Sequence, residues 1–280
     1  MRMRTKHVPT HARLSLVAFS LVELSIVLVI LGLLVGGVLT GRSLIRASEL
    51  RTVTRDFQKY QAATQTFRDK YFGIPGDINN ATAFWGSLGG TGLTTDTACA
   101  NAAPSAPLTC NGDGNGFSSN LEYPRYWQQL ANAGLIEGSY NGCRLTTCGN
   151  AKNNYVAGVN APAGKIANSI IYIFSVGVFS STTTTLFGGE YGNALGIGGS
   201  AGSPNNVFPL SSYILLPEEA WNIDSKMDDG LPGTGRIIAG KGDGTTTFCT
   251  SVAGTLTDTG ATYRLDVTNA DCSLFFVRAF

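Results

Sequence analysis

The sequence predicts an α+β fold in which a long N-terminal helix carries a head with an antiparallel β-sheet. Three observations lead to this prediction. An apolar run over 19–39 contains one charged residue, Glu23. An amphipathic helical pattern follows over 43–72. Residues 73–280 contain short apolar stretches separated by Gly-, Ser-, Thr- and Asn-rich segments, which are typical of strands and short helices joined by long surface loops.

The composition argues against a nucleic-acid-binding protein. Charged residues make up 14% of the chain, below the roughly 25% of an average soluble domain, and 35 residues are glycine. This mixture is typical of a loop-rich β protein outside the cytoplasm. Four basic residues precede the apolar run: Arg2, Arg4, Lys6 and Arg13. Without these four, the chain has 16 basic and 19 acidic residues. The rest of the chain has no basic excess, so nucleic acid is not indicated as a partner.

Both histidines, His7 and His11, also lie ahead of the apolar run. A chain cut after that stretch contains no histidine, which excludes His-dependent catalytic triads and His-ligated zinc sites. No nucleophile motif stands out in residues 73–280. We therefore do not expect an enzyme, and no catalytic residue is proposed.

The apolar run of 21 residues is long enough to cross a hydrocarbon core of about 30 Å as a helix. A secretory signal peptide has a shorter apolar region, about 7–15 residues, and a small-residue cleavage site after it. A plain signal anchor fits the length and the basic flank but leaves Glu23 unexplained. A carboxylate in an apolar span costs several kcal/mol unless it is paired, so Glu23 indicates a function.

The segment around this charge matches a processing signal. Residues 18–23, AFSLVE, follow a basic leader and open the apolar helix. They resemble the type III signal of type IV pilins and type II secretion pseudopilins, and the resemblance covers roughly residues 13–72. It implies cleavage between Ala18 and Phe19 by a prepilin peptidase, followed by N-methylation of Phe19. The sequence departs from the family pattern in having Ala18 where glycine is usual.

Cleavage would explain why a carboxylate lies in the span. The new amine of Phe19 is positively charged, and Glu23 lies about one helical turn further along. The carboxylate of one subunit can then neutralise the amine of its neighbour in a filament. The resemblance thus implies a prepilin-like subunit of a type IV pilus or a type II secretion pseudopilus. Its partners would be other pilin or pseudopilin subunits, the prepilin peptidase, an inner-membrane assembly platform and, before assembly, membrane lipid.

The same resemblance implies a location and a domain organisation. Residues 1–18 form a cytoplasmic leader, 19–72 a long helix whose part 19–39 spans the inner membrane once, and 73–280 an extracytoplasmic globular head. After assembly the subunit would lie in a periplasmic or surface filament.

The second half of the long helix is predicted from a stripe of apolar residues at three- and four-residue steps, with charged residues opposite. Gly73 and Pro75 end the helix. The stripe consists of Leu44, Ala47, Leu50, Val53, Phe57, Tyr60, Ala63 or Thr64, and Phe67. It is expected to pack on the head.

Within the head, segments 88–118 and 180–206 are predicted as long surface loops because they are rich in Gly, Ser, Thr and Asn. Short helices are predicted at 121–133 and 217–226, the second with Pro217 in its first turn. The strand candidates are 155–160, 169–176, 236–239, 246–250, 262–266 and 274–278.

All six cysteines follow the apolar run, which favours disulfides over metal or redox sites because no CxxC pair is present. Pairing each cysteine with its nearest neighbour is one of many possible connectivities. It gives Cys99–Cys110, Cys143–Cys148 and Cys249–Cys272.

Residues 111–122, NGDGNGFSSNLE, match the D-x-[DN]-x-[DN]-G-x5-E calcium loop apart from asparagine at the first position. Oxygens at alternate positions can surround a hard cation, and Gly116 permits the sharp turn. The candidate Ca²⁺ ligands are Asn111, Asp113, Asn115, the Phe117 carbonyl and Glu122. A Gly- and Asn-rich turn without a cation is the alternative. A second acidic cluster, Asp224, Asp228 and Asp229, is better interpreted as a turn.

A second class of function is a membrane-anchored binding module, either an adhesin or a receptor for DNA or glycans, presented on the same helix. Four aromatic residues could supply contacts to such a ligand: Trp85, Tyr140, Tyr155 and Trp221. Aromatic residues at such intervals also commonly build a core.

Overall fold

The computed structural model describes residues 20–88, 107–118, 122–143, 155–179, 186–199, 213–240, 249–251 and 260–280. It has a long N-terminal helix and, further along the chain, a four-stranded antiparallel sheet with short helices, so the predicted α+β class is confirmed. The chain divides into two compact units, 1–46 and 47–280. In order, the elements are α1 Leu21–Tyr71, α2 Ala81–Trp85, α3 Tyr123–Asn132, β1 Ser169–Phe179, β2 Gly189–Gly199, α4 Pro217–Met227, β3 Ile237–Ala239 and β4 Leu274–Phe276.

The first unit, described from Ser20 onward, consists of the N-terminal half of α1. Its most apolar 18-residue window has a mean hydropathy of 2.6, and none of that window is buried. Among the described residues this is the one helix long and apolar enough to cross a membrane. A Cβ atom added at Gly32 or Gly36 would meet no atom within 4 Å, so this face has no packing partner within the described residues.

In the second unit, the rest of α1 is amphipathic as predicted. Its buried residues are Val53, Phe57, Tyr60, Ala63, Thr64 and Phe67. The ring of Phe57 stacks on Phe276 of β4, and the ring of Tyr60 meets Trp127 of α3 edge-on at 4.9 Å. The stripe begins later than the sequence suggests, because Leu44 is 67% exposed and Leu50 is partly buried.

The sheet has the strand order β1-β2-β4-β3, and all neighbours are antiparallel. Leu195 of β2 and Ile237 of β3 both pair with Phe276 of the central strand β4. After β4, the chain continues to hydrogen-bond with the segments of the same two neighbouring strands. The amide of Val277 donates to the Arg236 carbonyl, and the amide of Ala279 donates to the Asn193 carbonyl.

Three of the predicted strands are confirmed with shifted ends. The candidate 169–176 extends to Phe179, and 236–239 and 274–278 shorten to β3 and β4. The candidate 155–160 is wrong: that segment forms a turn with one isolated bridge, from Ala157 to Ala161. The candidate 262–266 contributes a single bridge, between Tyr263 and Thr250. Residues 246–248 lie outside the described residues.

Strand β2 lies inside the segment 180–206, which the sequence predicted as a loop, so that prediction is wrong. Gly196 of β2 is used for packing rather than for a turn. Gly196 pairs with Tyr172 of β1, and a Cβ atom at Gly196 would lie 2.4 Å from Cζ of that fully buried ring. A side chain cannot fit there, because the tyrosine ring occupies the place where it would lie.

The short helices were predicted correctly, as α3 and α4, whereas α2 was not foreseen. Pro124 and Pro217 each lie in a first helical turn, where the missing N–H costs nothing. The carboxylate of Glu219 accepts the Leu216 amide at 3.0 Å, which fixes the start of α4.

We expect Gly196→Ala to lower the free energy of unfolding by about 1–3 kcal/mol, because the new methyl group must displace the buried Tyr172 ring. Gly189→Ala in the same strand is the matched control. Nothing lies within 4 Å of its Cβ position, so the midpoint of unfolding should stay the same or rise. Thermal unfolding of the two variants measures both effects. Equal unfolding midpoints for Gly196→Ala and Gly189→Ala would contradict the role of Gly196 in packing.

Candidate functional sites

The first turn of α1 holds the predicted assembly residue Glu23. The Ser20 amide donates to Oε2 of Glu23 at 3.1 Å, and the Val22 amide donates to Oγ of Ser20 at 3.3 Å. Together these bonds cap the helix, because two side chains satisfy backbone amides that have no partner in the helix. Glu23 therefore has a local role that the sequence reasoning missed, although the S-x-x-E spacing signals it. Ala18 and Phe19 lie outside the described residues.

The predicted calcium loop is organised around a residue that precedes it, Asp77. Oδ1 of Asp77 accepts the amides of Gly114 and Asn115 at 2.8 and 3.0 Å, and Oδ2 accepts the amide of Gly116 at 2.9 Å. Its main-chain carbonyl also accepts the Gly114 amide at 2.9 Å. The loop therefore wraps around one carboxylate.

Two of the predicted ligands join Asp77. One carboxylate oxygen from each of Asp77, Asp113 and Glu122 lies within 4.8 Å of the others. Asp77 and Glu122 are buried, whereas Asp113 is exposed. Oε1 of Glu122 also accepts the Asp113 amide at 3.2 Å, which links the two ends of the loop. This group of acidic residues could hold a metal ion.

The other predicted ligands have local roles. Oδ1 of Asn111 accepts the Thr82 amide at 2.8 Å and so caps the short helix α2. Oδ1 of Asn115 accepts the Phe117 amide at 2.7 Å. The amide group of Asn115 donates to Oδ2 of Asp113 at 2.8 Å. The three-carboxylate group therefore includes Asp113 and Glu122 of the predicted set, and Asp77 is its third member.

The pKa of the Asp77 carboxyl is raised above its ordinary value. Burial raises the pKa of its carboxyl, the amides of Gly116 and Asn115 lower it, and the neighbouring Asp113 carboxylate raises it. Close carboxylates cannot all remain ionised without a positive charge between them. A proton or a bound cation can supply that charge, and a cation would compete with the proton.

Asp77 was missed because it is distant in sequence from the loop and lies in a Pro-Gly-Asp turn, where aspartate is common for conformational reasons. The close approach of the two segments is visible at Gly112. A Cβ atom there would lie 2.2 Å from the backbone of Asp77, so only glycine allows this contact.

The second acidic cluster has the hydrogen bonds of a turn. Asp224 is fully buried and accepts the Tyr263 hydroxyl at 2.8 Å, and its pKa is raised to about 7, mainly by burial. Asp228 accepts the Ile237 amide at 3.0 Å, and Asp229 accepts the Leu231 amide at 2.8 Å. These carboxylates tie the end of α4 to the segment before β3, as expected for a turn.

The structure describes both members of one of the three predicted cysteine pairs. Cys249 and Cys272 form a disulfide with Cα atoms 5.0 Å apart. Cys110 and Cys143 each form a disulfide bond. Cys99 and Cys148, their predicted partners, lie outside the described residues, so the other two pairings stay predictions.

The four aromatic candidates separate into two groups. Tyr140 and Tyr155 are buried and belong to the core, so they cannot contact a ligand. Trp221 on α4 is 39% exposed. Trp85 is partly buried and packs against Tyr71 and Phe84, which form part of a larger group of rings at the C-terminal end of α1.

No protein-family model, curated protein or solved structure matches this chain.

Proposed function

We propose that the chain is a prepilin-like subunit that is cleaved before Phe19 and assembled into a filament of the type IV pilus or type II secretion class. The observation that carries the proposal is the single helix Leu21–Tyr71. The same helix has exposed apolar side chains on all sides in its first half and a buried stripe in its second half.

The exposed first half requires a covering. Large apolar side chains from Leu21 to Leu39 are at least 50% exposed, far more than an isolated soluble protein tolerates. Lipid covers such a surface before assembly. In a filament, the same helices from other subunits cover it, and the unfilled faces at Gly32 and Gly36 allow close approach between helices.

Glu23 then acts in two settings. In the single chain it caps the helix through the Ser20 amide. In the filament its charge neutralises the amine that cleavage creates on a neighbouring subunit, which makes departure from lipid favourable. Glutamine can accept the same capping bond without the charge, so the two roles are separable.

Cleavage is tested by the mass of the protein extracted from membranes. We expect an N-terminus at Phe19 that carries one methyl group, because residues 18–23 resemble the prepilin processing signal. An uncut Met1, or a cut after the apolar run near Thr40, would contradict the proposal.

Assembly is tested by comparing Glu23→Gln with Glu23→Ala. Both variants should insert into the membrane, since each makes the span more apolar. Both should be depleted at least about tenfold from sheared filaments, the order expected when an opposite-charge partner is lost in an apolar setting. Wild-type recovery of Glu23→Gln together with loss of Glu23→Ala would show that the side chain acts only as a helix cap.

We propose further that the group formed by Asp77, Asp113 and Glu122 binds Ca²⁺. Its donors are all carboxylate oxygens, which hard cations prefer. The site joins the turn after α1 to the loop and to the start of α3, so a bound ion would tie three segments together. Asp77 takes the place of the acidic residue that the loop lacks at its first position, where the chain has Asn111.

Calcium should raise the midpoint of thermal unfolding of the full chain in detergent relative to chelator. A ligand at 100 times its dissociation constant adds about 2.7 kcal/mol to the free energy of unfolding. The dissociation constant is expected in the range of extracellular calcium sites, about 10⁻⁴–10⁻³ M. The shift should shrink from about pH 7.5 to about pH 5, because the raised pKa of Asp77 lets a proton compete with the ion.

Asp113→Asn should abolish this shift, whereas Glu190→Gln, which removes an exposed carboxylate of β2, should leave it unchanged. Equal midpoints for the wild type in calcium and in chelator would show that the loop is a turn that needs no ion.

A further inference from the structure

Four aromatic residues lie at or directly after the end of α1 and on α2, and we name them the aromatic patch: Tyr71, Phe72, Phe84 and Trp85. Tyr71 packs against Phe84 at 5.0 Å and against Trp85 at 5.2 Å between ring centroids. Phe72 is 93% exposed and Phe84 is 51% exposed. Among the described residues, Phe72 is the most exposed large apolar side chain.

The backbone at Phe72 is strained. Its φ is +56°, a left-handed conformation that large side chains rarely adopt. The position follows the last residue of the helix, where glycine is the usual choice because it has no Cβ. The chain instead places a phenylalanine there and directs its ring into solvent. Strain of this kind, at a residue with almost no contacts to compensate it, favours a role in binding.

A cleft of about 690 Å³ lies beside the patch and is lined by Tyr71 and Phe72 together with polar side chains. The polar side chains of the lining are Gln65, Arg68, Asp69, Asp77, Asn79 and Asn80. The cleft therefore combines the exposed ring of Phe72 and the partly buried ring of Tyr71 with planar groups that can donate and accept hydrogen bonds. This combination fixes small polar ligands in protein sites.

The charges around the cleft decide between ligand classes. Arg68 lines the cleft and Lys70 lies 5.1 Å from the centroid of the Tyr71 ring, while Asp69 and the three-carboxylate group that contains Asp77 supply negative charge. A balanced site does not attract a polyanion such as nucleic acid. The amide and carboxylate side chains also disfavour lipid, because lipid would leave them without partners.

We propose that the aromatic patch and its cleft bind a neutral oligosaccharide. The C–H face of a sugar ring packs on an aromatic face, and its hydroxyl groups exchange hydrogen bonds with Asn, Gln, Asp and Arg side chains. This inference goes beyond filament assembly and does not rest on it, because every residue involved belongs to the second unit.

The test is an array of neutral, sialylated and sulfated oligosaccharides, with a single-stranded oligothymidine as a further probe. The full chain is applied over a concentration series in a detergent without a sugar headgroup, so that the detergent does not compete. We expect saturable binding to neutral oligosaccharides. Phe72→Gly and Phe84→Ala should each raise the apparent dissociation constant about tenfold or more, the loss typical of a central aromatic contact.

Phe72→Gly separates a binding role from a structural one. Glycine adopts φ +56° without strain, so the midpoint of thermal unfolding should stay the same or rise while binding is lost. Trp221→Ala removes a half-exposed ring on α4 and is the matched control, with binding expected to be unchanged.

Three results would overturn the proposal. They are no saturable binding to neutral oligosaccharides, binding that Phe72→Gly and Phe84→Ala leave unchanged, and a preference for oligothymidine or acidic glycans. Self-association that Phe72→Gly abolishes without any glycan binding would assign the patch to contact between copies of the chain. The two proposals fail separately, because Glu23→Gln should still bind the array and Phe72→Gly should still enter filaments.

Discussion

The structure of the second unit depends on the burial of one helical stripe, from Val53 to Phe67. Phe57 packs on the central strand β4, and Tyr60 packs on Trp127 of α3. The side chain of Gln61 donates to the Ala279 carbonyl at 2.7 Å, and the ring of Phe280 stacks on Tyr126. The stripe therefore contacts α3 and β4, and the residues after β4 add contacts to α1 and α3.

Polar side chains hold the loops of the second unit by hydrogen bonds to the backbone. Asp77 gathers three amides of the 111–118 segment, and Asn193 of β2 joins the same segment through the Gly116 carbonyl at 2.9 Å. Gln128 and Gln129 of α3 are buried, and Gln129 accepts the Gly76 amide. The backbone groups of buried loops need hydrogen-bond partners, and here side chains supply several of these partners.

The same organisation brings the candidate sites of the second unit close together. The end of α1 carries the turn that contains Asp77, the aromatic patch lies on that turn and on α2, and the acidic group connects both to the start of α3. A cation bound by Asp77 would therefore fix the wall of the cleft that Asp77 lines. Such ordering would lower the entropy cost of a ligand binding in the cleft.

The sequence by itself determined the features that depend on local pattern. Apolar length and helical periodicity gave α1 to within two residues at each end, and the helices α3 and α4 followed from the same signals. The pairing of Cys249 with Cys272 followed from their proximity in sequence. The fixed spacing of calcium loops singled out Asp113 and Glu122, which lie together in the three-carboxylate group.

Only the tertiary structure decided the rest. Residues 189–199 form a strand although glycine is also typical of turns, because Gly196 leaves room for the Tyr172 ring of the neighbouring strand. The tertiary structure brought Asp77 to a loop distant in sequence, and it left Phe72 exposed while burying Tyr140 and Tyr155. Each outcome depends on which segments meet in space, and contacts between distant segments leave no periodicity or spacing in a single sequence.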